Sequence, residues 1–581
     1  MKNIALLIRN FSICASLLLI IGLQSLLAQQ PSKHLTVPSP QHIVWQNLEL
    51  TMFVHFDPAT WQNSACDNRS TPLSRINPDK LDVNQWIDVA ESFGAKMIIY
   101  VTKHVGGFCW WQTETTDYSI KNTPYKNGKG DVLAELSSAC EKRGMKLGIY
   151  LYPGDDTFGA YLGGGGRTRD STKQEAYNMI LRTQWEEVLS RTPNIAEIWF
   201  DGSVIVPLKD IIKKYAPNAI VFQGPFADIR WVGNERGFAP YPAWNSVKMS
   251  DALTGTATAA HGDPDGDVWM PAEVDVTLKN HDWFWSTTNH KNLRSLDELM
   301  TIYYNSVGHG CQLLLNSAPD TTGLIPQEDV ILYQQFGAEI KRRFGKSLAE
   351  TSGKGSITEL DFGKPTLVDH LIIQEDIAFG ERVRRYVIEG RTNGDWFLVT
   401  DGISVGYKHI NQFKPVTVNK IRFRCTENKL PPVIKRLAAF YVNDPKQYNT
   451  LSSDRDDLGN LWVKGEQKKT NETRVGLLSD FTRTNGMLEA DLSSFVPLPG
   501  QYKLWIRNVN TNTVAPIENG ELILMGHQTP GMATENDNGN SYTINITAYP
   551  KMEKESIKFV WKVPQTAKLT DFELLIKEII F

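Results

Sequence analysis

Asp201 ends the apolar run Ala196 to Phe200 and is followed at once by Gly202. A buried strand that stops at a carboxylate and a glycine delivers that side chain to the rim of a parallel sheet or barrel. There it can act as nucleophile, base or charge stabiliser. An isolated strand-Asp-Gly also serves as a turn or helix cap, so the aspartate gains meaning from what stands beside it. Other apolar runs supply neighbours: His55 at the end of Leu48 to Phe56, His104 after Lys96 to Thr102, Tyr150 and Tyr152 on Lys146 to Tyr152, and Trp199 two residues before Asp201. The segment Trp269 to Asp275 adds Glu273 and Asp275. Imidazoles, phenols and indoles beside carboxylates suit a hydroxyl-rich ligand, whose hydroxyls they bond and whose C–H faces they cover. Two carboxylates on one barrel face are what cleavage of a glycosidic bond requires, one moving a proton and the other attacking carbon or activating water. Asp201 is the candidate nucleophile and Glu273 the candidate acid/base.

The elements that must hold these groups alternate. Helical spacing marks Asp82 to Phe93, Asp131 to Arg143, Thr172 to Ser190, Leu208 to Tyr215, Leu296 to Val307 and Gln327 to Phe344. Apolar strands stand between them, with Ala219 to Gln223, Val268 to Val276 and Gln312 to Asn316 completing the series. Strand-helix alternation over some 300 residues predicts an α/β fold, a (β/α)8-type barrel spanning residues 29–344. From about Lys346 the pattern turns to short β-rich segments. These predict C-terminal β-sandwich domains, the first over 345–445 and a second β-rich domain over 446–581.

Composition narrows the class. A net charge of -4 with 22% charged residues in a 581-residue chain leaves no electrostatic footprint for nucleic acid. Residues 1–28 read as a secretory signal: Lys2 and Arg9 precede the apolar Cys14 to Leu23, and Ala28 stands before Gln29-Gln30. The expected location is periplasmic or secreted, without stable membrane insertion. The remaining cysteines, Cys66, Cys109, Cys140, Cys311 and Cys425, are odd in number and widely spaced, which argues against a disulfide scaffold or a zinc site. No metal or organic cofactor is expected.

From about Gln41 to Phe344 the chain resembles the retaining α-L-fucosidases of glycoside hydrolase family 29. The resemblance rests on Met52-Phe53-Val54-His55-Phe56, Thr102-Lys103-His104 with Gly107-Phe108-Cys109-Trp110, Thr116-Asp117-Tyr118-Ser119, Trp199-Phe200-Asp201-Gly202, and Leu313-Leu314-Leu315-Asn316 followed by Pro319-Asp320. It implies Asp201 as nucleophile, Trp199 as a pocket tryptophan, and His55 and His104 as partners of the sugar hydroxyls. Pro271-Ala272-Glu273-Val274-Asp275 with Trp283-Phe284, and Arg230 to Glu235, resemble the subgroup preferring α-1,3/1,4-linked fucose. That likeness implies Glu273 as acid/base, protonated at the start by burial against a surface such as Trp283. Where many relatives read Lys-His-His-Asp-Gly-Phe, this chain has Lys103-His104-Val105-Gly106-Gly107-Phe108, without one polar contact and one acid. The block from Gly345 to Val442 resembles galactose-binding-like modules. The implied activity is release of L-fucose from a fucosylated oligosaccharide or glycoconjugate by double displacement. A transfucosidase, another retaining exoglycosidase, or a non-catalytic carbohydrate-binding protein on a hydrolase scaffold are the alternatives.

Overall fold

The computed structural model describes residues 35–252, 261–279, 282–288 and 292–446, and segments between 462 and 579. The expected signal segment 1–28 lies outside the described residues. Eight strands form one parallel sheet: β1 (Leu50–Val54), β2 (Met97–Lys103), β3 (Lys146–Leu151), β4 (Glu197–Trp199), β5 (Ile220–Phe222), β6 (Arg230–Trp231), β7 (Ala272–Thr277) and β8 (Gln312–Ser317). Their order is β5-β4-β3-β2-β1-β8-β7-β6, and a parallel bridge between Phe222 and Ile229 brings the two ends together. The result is the expected (β/α)8-type barrel. The strands are almost wholly buried, as parallel strands covered on both faces must be.

Helices α1 (Pro40–Gln46), α2 (Val83–Ser92), α3 (Val132–Arg143), α4 (Gln174–Arg191), α5 (Lys209–Tyr215), α6 (Leu296–Asn305) and α7 (Gln327–Phe344) accompany the strands. Their ends are locally encoded. Asp82 and Asp131 accept amide hydrogens at the starts of α2 and α3, and Ser295 with Glu298 forms a capping box on α6. Gly144, at φ 68°, ends α3 in the left-handed region.

Side chains alternate between the barrel interior and the helix layer. Met52, Val54, Ile198, Phe200, Val274 and Val276 face the helices. Phe53, Met97, Ile99, Tyr150, Tyr152, Trp199, Phe222 and Leu314 fill the interior, which Trp45 and Leu48 join. Val268 to Val276, expected as one strand, is two. Val268–Trp269 pairs antiparallel with Ser246–Val247, and the barrel strand begins only at Ala272. Pro271 lies between them, with no N–H to carry a ladder onward.

Beyond α7 the chain becomes antiparallel. Strands β9 (Ala349–Lys354), β10 (Ile357–Glu375), β11 (Val383–Arg391), β12 (Phe397–Gly402), β13 (His409–Asn428) and β14 (Val433–Phe440) pair in the order β9-β14-β10-β13-β11-β12. Register breaks in the long β10 and β13 let this sheet curl around its own core of Leu360, Val368, Tyr386, Ile421 and Phe423. Ile372, Ile410, Ala438 and Phe440 instead pack into the barrel's core. Two further antiparallel sheets occupy the described part of 473–579.

Candidate active site

The six rings expected at the barrel mouth stand together. Phe53 lies 4.4 Å from His55 and 5.0 Å from Trp199, centroid to centroid. His104 stacks on Tyr150 at 5.7 Å, Tyr150 on Tyr152 at 6.5 Å, and Tyr150 on Trp199 at 5.3 Å. Trp283 closes the group 4.9 Å from His55. Trp199 lies flat on Phe222, 4.3 Å away and 9° from parallel, so the floor beneath the pocket is solid.

Asp201 stands two residues past Trp199, the last residue of β4, at the strand's C-terminal end. It keeps an exposed surface while protein atoms crowd its carboxylate, as at the bottom of an open recess. Burial raises its pKa, and the Tyr150 hydroxyl, donating to Oδ2 at 3.0 Å, opposes the rise. Tyr150 is itself pushed well above the usual phenol range by burial and then by the charge of Asp201. It therefore remains a proton donor to the carboxylate.

His55 and His104 are buried, and burial lowers both; His104 falls to about 3. Both imidazoles are neutral at neutral pH. Asn316 donates its amide N–H to the carbonyl of Trp283 at 2.8 Å, which turns Oδ1 toward His55 Nδ1 at 2.7 Å. That assigns the proton to Nδ1 and leaves Nε2 of His55 as an acceptor for a ligand hydroxyl. The Tyr152 hydroxyl accepts from the Gly163 amide at 2.9 Å, so this residue joins the pocket through its ring.

Glu273 is not where it was expected. It is the second residue of β7, level with Gln312 at the start of β8, and it is fully buried. Asp201 lies beyond the last residue of its strand, whereas Glu273 lies near the first of its own. The alternation that points Glu273 inward places it deep in the barrel, beneath Trp199, whose indole N–H donates to its Oε1 at 2.8 Å. Two residues further up the same strand, Asp275 receives the indole N–H of Trp231 at 2.6 Å. Asp275 is also buried, and burial raises it to about 7, with the charge of Asp201 adding to the rise.

A carboxyl that does reach the mouth is Glu235, four residues past β6. Gly233 and Gly237, at φ 96° and 87°, bend the loop around it. Asn234 locks the turn by accepting from the Arg236 amide at 3.0 Å and donating to the Phe238 carbonyl at 2.8 Å. The fully buried Arg230 anchors the base of the loop, donating to the carbonyls of Met270 and Trp244. Glu235 is partly exposed, and its Oε2 accepts from Trp283 Nε1 at 3.2 Å. Burial, then the charges of Asp275 and Asp201, raise it to about 8, against the opposing indole N–H. Among the carboxyls that feel Asp201, this one combines solvent access with a proton held at neutral pH.

Two neighbours had no clear signal in the sequence. Cys66 is close enough to Asp57, Asp201 and Asp67 for their charges, after burial, to lift its thiol to about 11, so it is protonated. Asp67 takes the space left by the departure at position 106. A Cβ on Gly106 would collide with its carboxyl, which Gln62, the Arg69 amide and the Tyr118 hydroxyl hold in place. An acid thus occupies this corner, supplied from another loop. All five described cysteines are free. Among the described residues, no three His, Cys, Asp or Glu side chains converge as metal ligands would, and no helix is long and apolar enough to cross a membrane.

A parallel (β/α)8 barrel with an ionisable carboxylate and a protonated carboxyl at its C-terminal mouth, ringed by aromatic and imidazole groups, is the architecture of a glycoside hydrolase. The model of the alpha-L-fucosidase family matches residues 44–343. Alpha-L-fucosidase 1 of Arabidopsis thaliana is 31% identical over 72% of this chain and 90% of its own length. A Ruminococcus gnavus GH29 fucosidase, solved in complex with fucose, is 26% identical over 71% of this chain and 96% of that one, with a TM-score of 0.61. A glycoside hydrolase 29 family member from an unknown rumen bacterium, 25% identical, covers 93% of this chain and 99% of its own, with a TM-score of 0.64. The chain belongs to the alpha-L-fucosidase family, glycoside hydrolase family 29. Its activity is that of an alpha-L-fucosidase, and these relatives do not favour a non-catalytic binding protein.

Proposed function

We propose that the protein is an exo-acting, retaining α-L-fucosidase that removes α-1,3/1,4-linked fucose from Lewis-type glycans, with Asp201 as nucleophile and Glu235 as acid/base. The observation that carries this assignment is the contrast between the two carboxyls: Asp201 receives a phenol O–H that favours its anion, while Glu235 is raised to about 8 and holds a proton. In the first step an Asp201 oxygen bonds to the anomeric carbon as the glycosidic C–O bond breaks, and Glu235 gives its proton to the departing oxygen. In the second, Glu235 takes a proton from water, whose oxygen attacks the same carbon and releases Asp201. His55 Nε2 accepts a sugar hydroxyl, and Trp283 covers a C–H face while its N–H steadies Glu235. The filled floor under Asp201 supports action on a chain end, since no glycan can thread past Trp199 and Phe222.

The linkage preference rests on the likeness of Arg230 to Glu235, Pro271 to Asp275 and Trp283-Phe284 to the α-1,3/1,4 subgroup. Residues 1–28 support export to the periplasm or medium, and N-terminal sequencing of protein from those fractions would test it. The direct test of function is fucose release from α-1,2-, α-1,3- and α-1,4-linked oligosaccharides, with Asp201→Asn and Glu235→Gln assayed alongside. Release from the branched substrates alone, lost in both variants, is expected. Preference for the α-1,2 linkage would remove the linkage assignment, and accumulation of fucosylated acceptors without free fucose would make the enzyme a transferase.

A further inference from the structure

The barrel interior holds a second pair of acids beneath the pocket. Glu197 opens β4 and Glu273 lies near the start of β7; both are fully buried. The indole N–H of Trp45, on helix α1, donates to Glu197 Oε2 at 2.7 Å. That of Trp199 donates to Glu273 Oε1 at 2.8 Å. The remaining oxygens, Glu197 Oε1 and Glu273 Oε2, are buried without a hydrogen-bond partner, and each carboxyl is close enough to the other to shift its hold on a proton. Gln312, level with Glu273, gives an amide N–H to Thr51 Oγ1 at 2.7 Å, and Glu273 Oε2 stays without a partner.

Two bare carboxylates facing each other in a fully buried layer would leave both oxygens unsatisfied and both charges unpaired. One shared proton satisfies both. Its place follows from the surroundings: burial raises both acids, Glu197 to about 8 and Glu273 well above the ordinary carboxyl range, and an indole N–H opposes the rise in each, but the charges of Glu197 and Asp275 raise Glu273 further. We propose that Glu273 is a protonated carboxylic acid that positions Trp199, donating its O–H to Glu197 while its other oxygen receives the Trp199 indole. The chain Trp45, Glu197, Glu273, Trp199 then ties helix α1 to the pocket floor, on which Tyr150 stacks and from which it reaches Asp201. Glu273 is a positioning residue, at a distance from the reacting atoms.

The proposal separates substitutions that look alike. Glu273→Gln keeps both contacts, since its amide N–H replaces the O–H, and kcat/KM is expected to stay within about tenfold of wild type. Glu197→Gln keeps a single acceptor oxygen for two donors, and Glu273→Leu has no polar atom. Each is expected to lower kcat on the order of 10- to 100-fold, with KM changing less, as the floor loosens. These kinetics rest on the fucosidase assignment; an infrared difference spectrum of wild type against Glu273→Gln does not. At neutral pH that spectrum is expected to show loss of a protonated-carboxyl C=O band. Loss of a carboxylate band in its place would overturn the proposal. So would a Glu273→Gln enzyme as crippled as Glu235→Gln and restored by azide, or tolerance of Glu197→Gln alongside damage from Glu273→Gln.

Discussion

Replacing Glu235 by Gln removes the group that must arrive at the reaction already protonated. With its pKa raised to about 8, Glu235 holds its proton in about nine-tenths of molecules at pH 7, against roughly 0.3% for a carboxyl at its ordinary 4.5. Burial and the charges of Asp275 and Asp201 thus increase the competent population roughly 300-fold. Glu235→Gln is expected to lower kcat/KM on a fucosylated oligosaccharide by about 10² to 10⁴-fold, since a sugar leaving group needs the proton. An aryl fucoside with an acidic phenol needs none, and its defucosylation step should respond to added azide, giving α-fucosyl azide by the second inversion. The alkaline limb of the wild-type kcat/KM profile, near pH 8, should vanish in the variant, because that limb records loss of the acid's proton. An unchanged limb in Glu235→Gln, or oligosaccharide cleavage within about tenfold of wild type, would refute the assignment.

Tyr150→Phe removes the hydrogen bond that lowers the pKa of Asp201, so the acid limb of kcat/KM is expected to move to higher pH, read from initial rates across the acid range. Trp283→Phe removes the N–H that opposes the rise of Glu235, so the alkaline limb should move upward while fucose inhibition weakens. His409 stacks on His309, 5.9 Å away, and burial lowers it to about 3. The unfolded chain therefore binds a proton below about pH 6.5 that the folded one refuses, and stability falls with pH, by up to about 2 kcal/mol between pH 6.5 and 5 for this residue. Raised carboxyls such as Glu235 act in the opposite sense, so the comparison is differential: the thermal midpoint of His409→Gln should drop less than that of wild type between those pH values.

Much of the barrel was readable because each strand carries its chemistry at its end: His55, His104, Tyr152 and Asp201 all follow apolar runs and all reach one cluster. Strand β6 was not, because Arg230–Trp231 is two residues long and shows no periodicity. Glu273 shows how inward direction and depth differ. Alternation in Ala272 to Thr277 points Glu273, Asp275 and Thr277 the same way, but only the strand's start, set by Pro271, says which lies at the bottom. Glu235 escaped as an acid/base because its setting is assembled from separate segments: a glycine-flanked turn for itself, Trp283 and Asp275 from around β7, and Asp201 from β4. The compensation of Gly106 by Asp67 is likewise a contact between distant segments.

The most direct test of the double displacement is to trap the covalent intermediate with 2-deoxy-2-fluoro-L-fucosyl fluoride and locate the label by peptide mass spectrometry. A fluorofucosyl adduct on Asp201, formed as activity is lost and released as activity returns, is expected. An adduct on any other carboxyl, or no adduct from an enzyme that turns the reagent over with inversion, would contradict the role of Asp201.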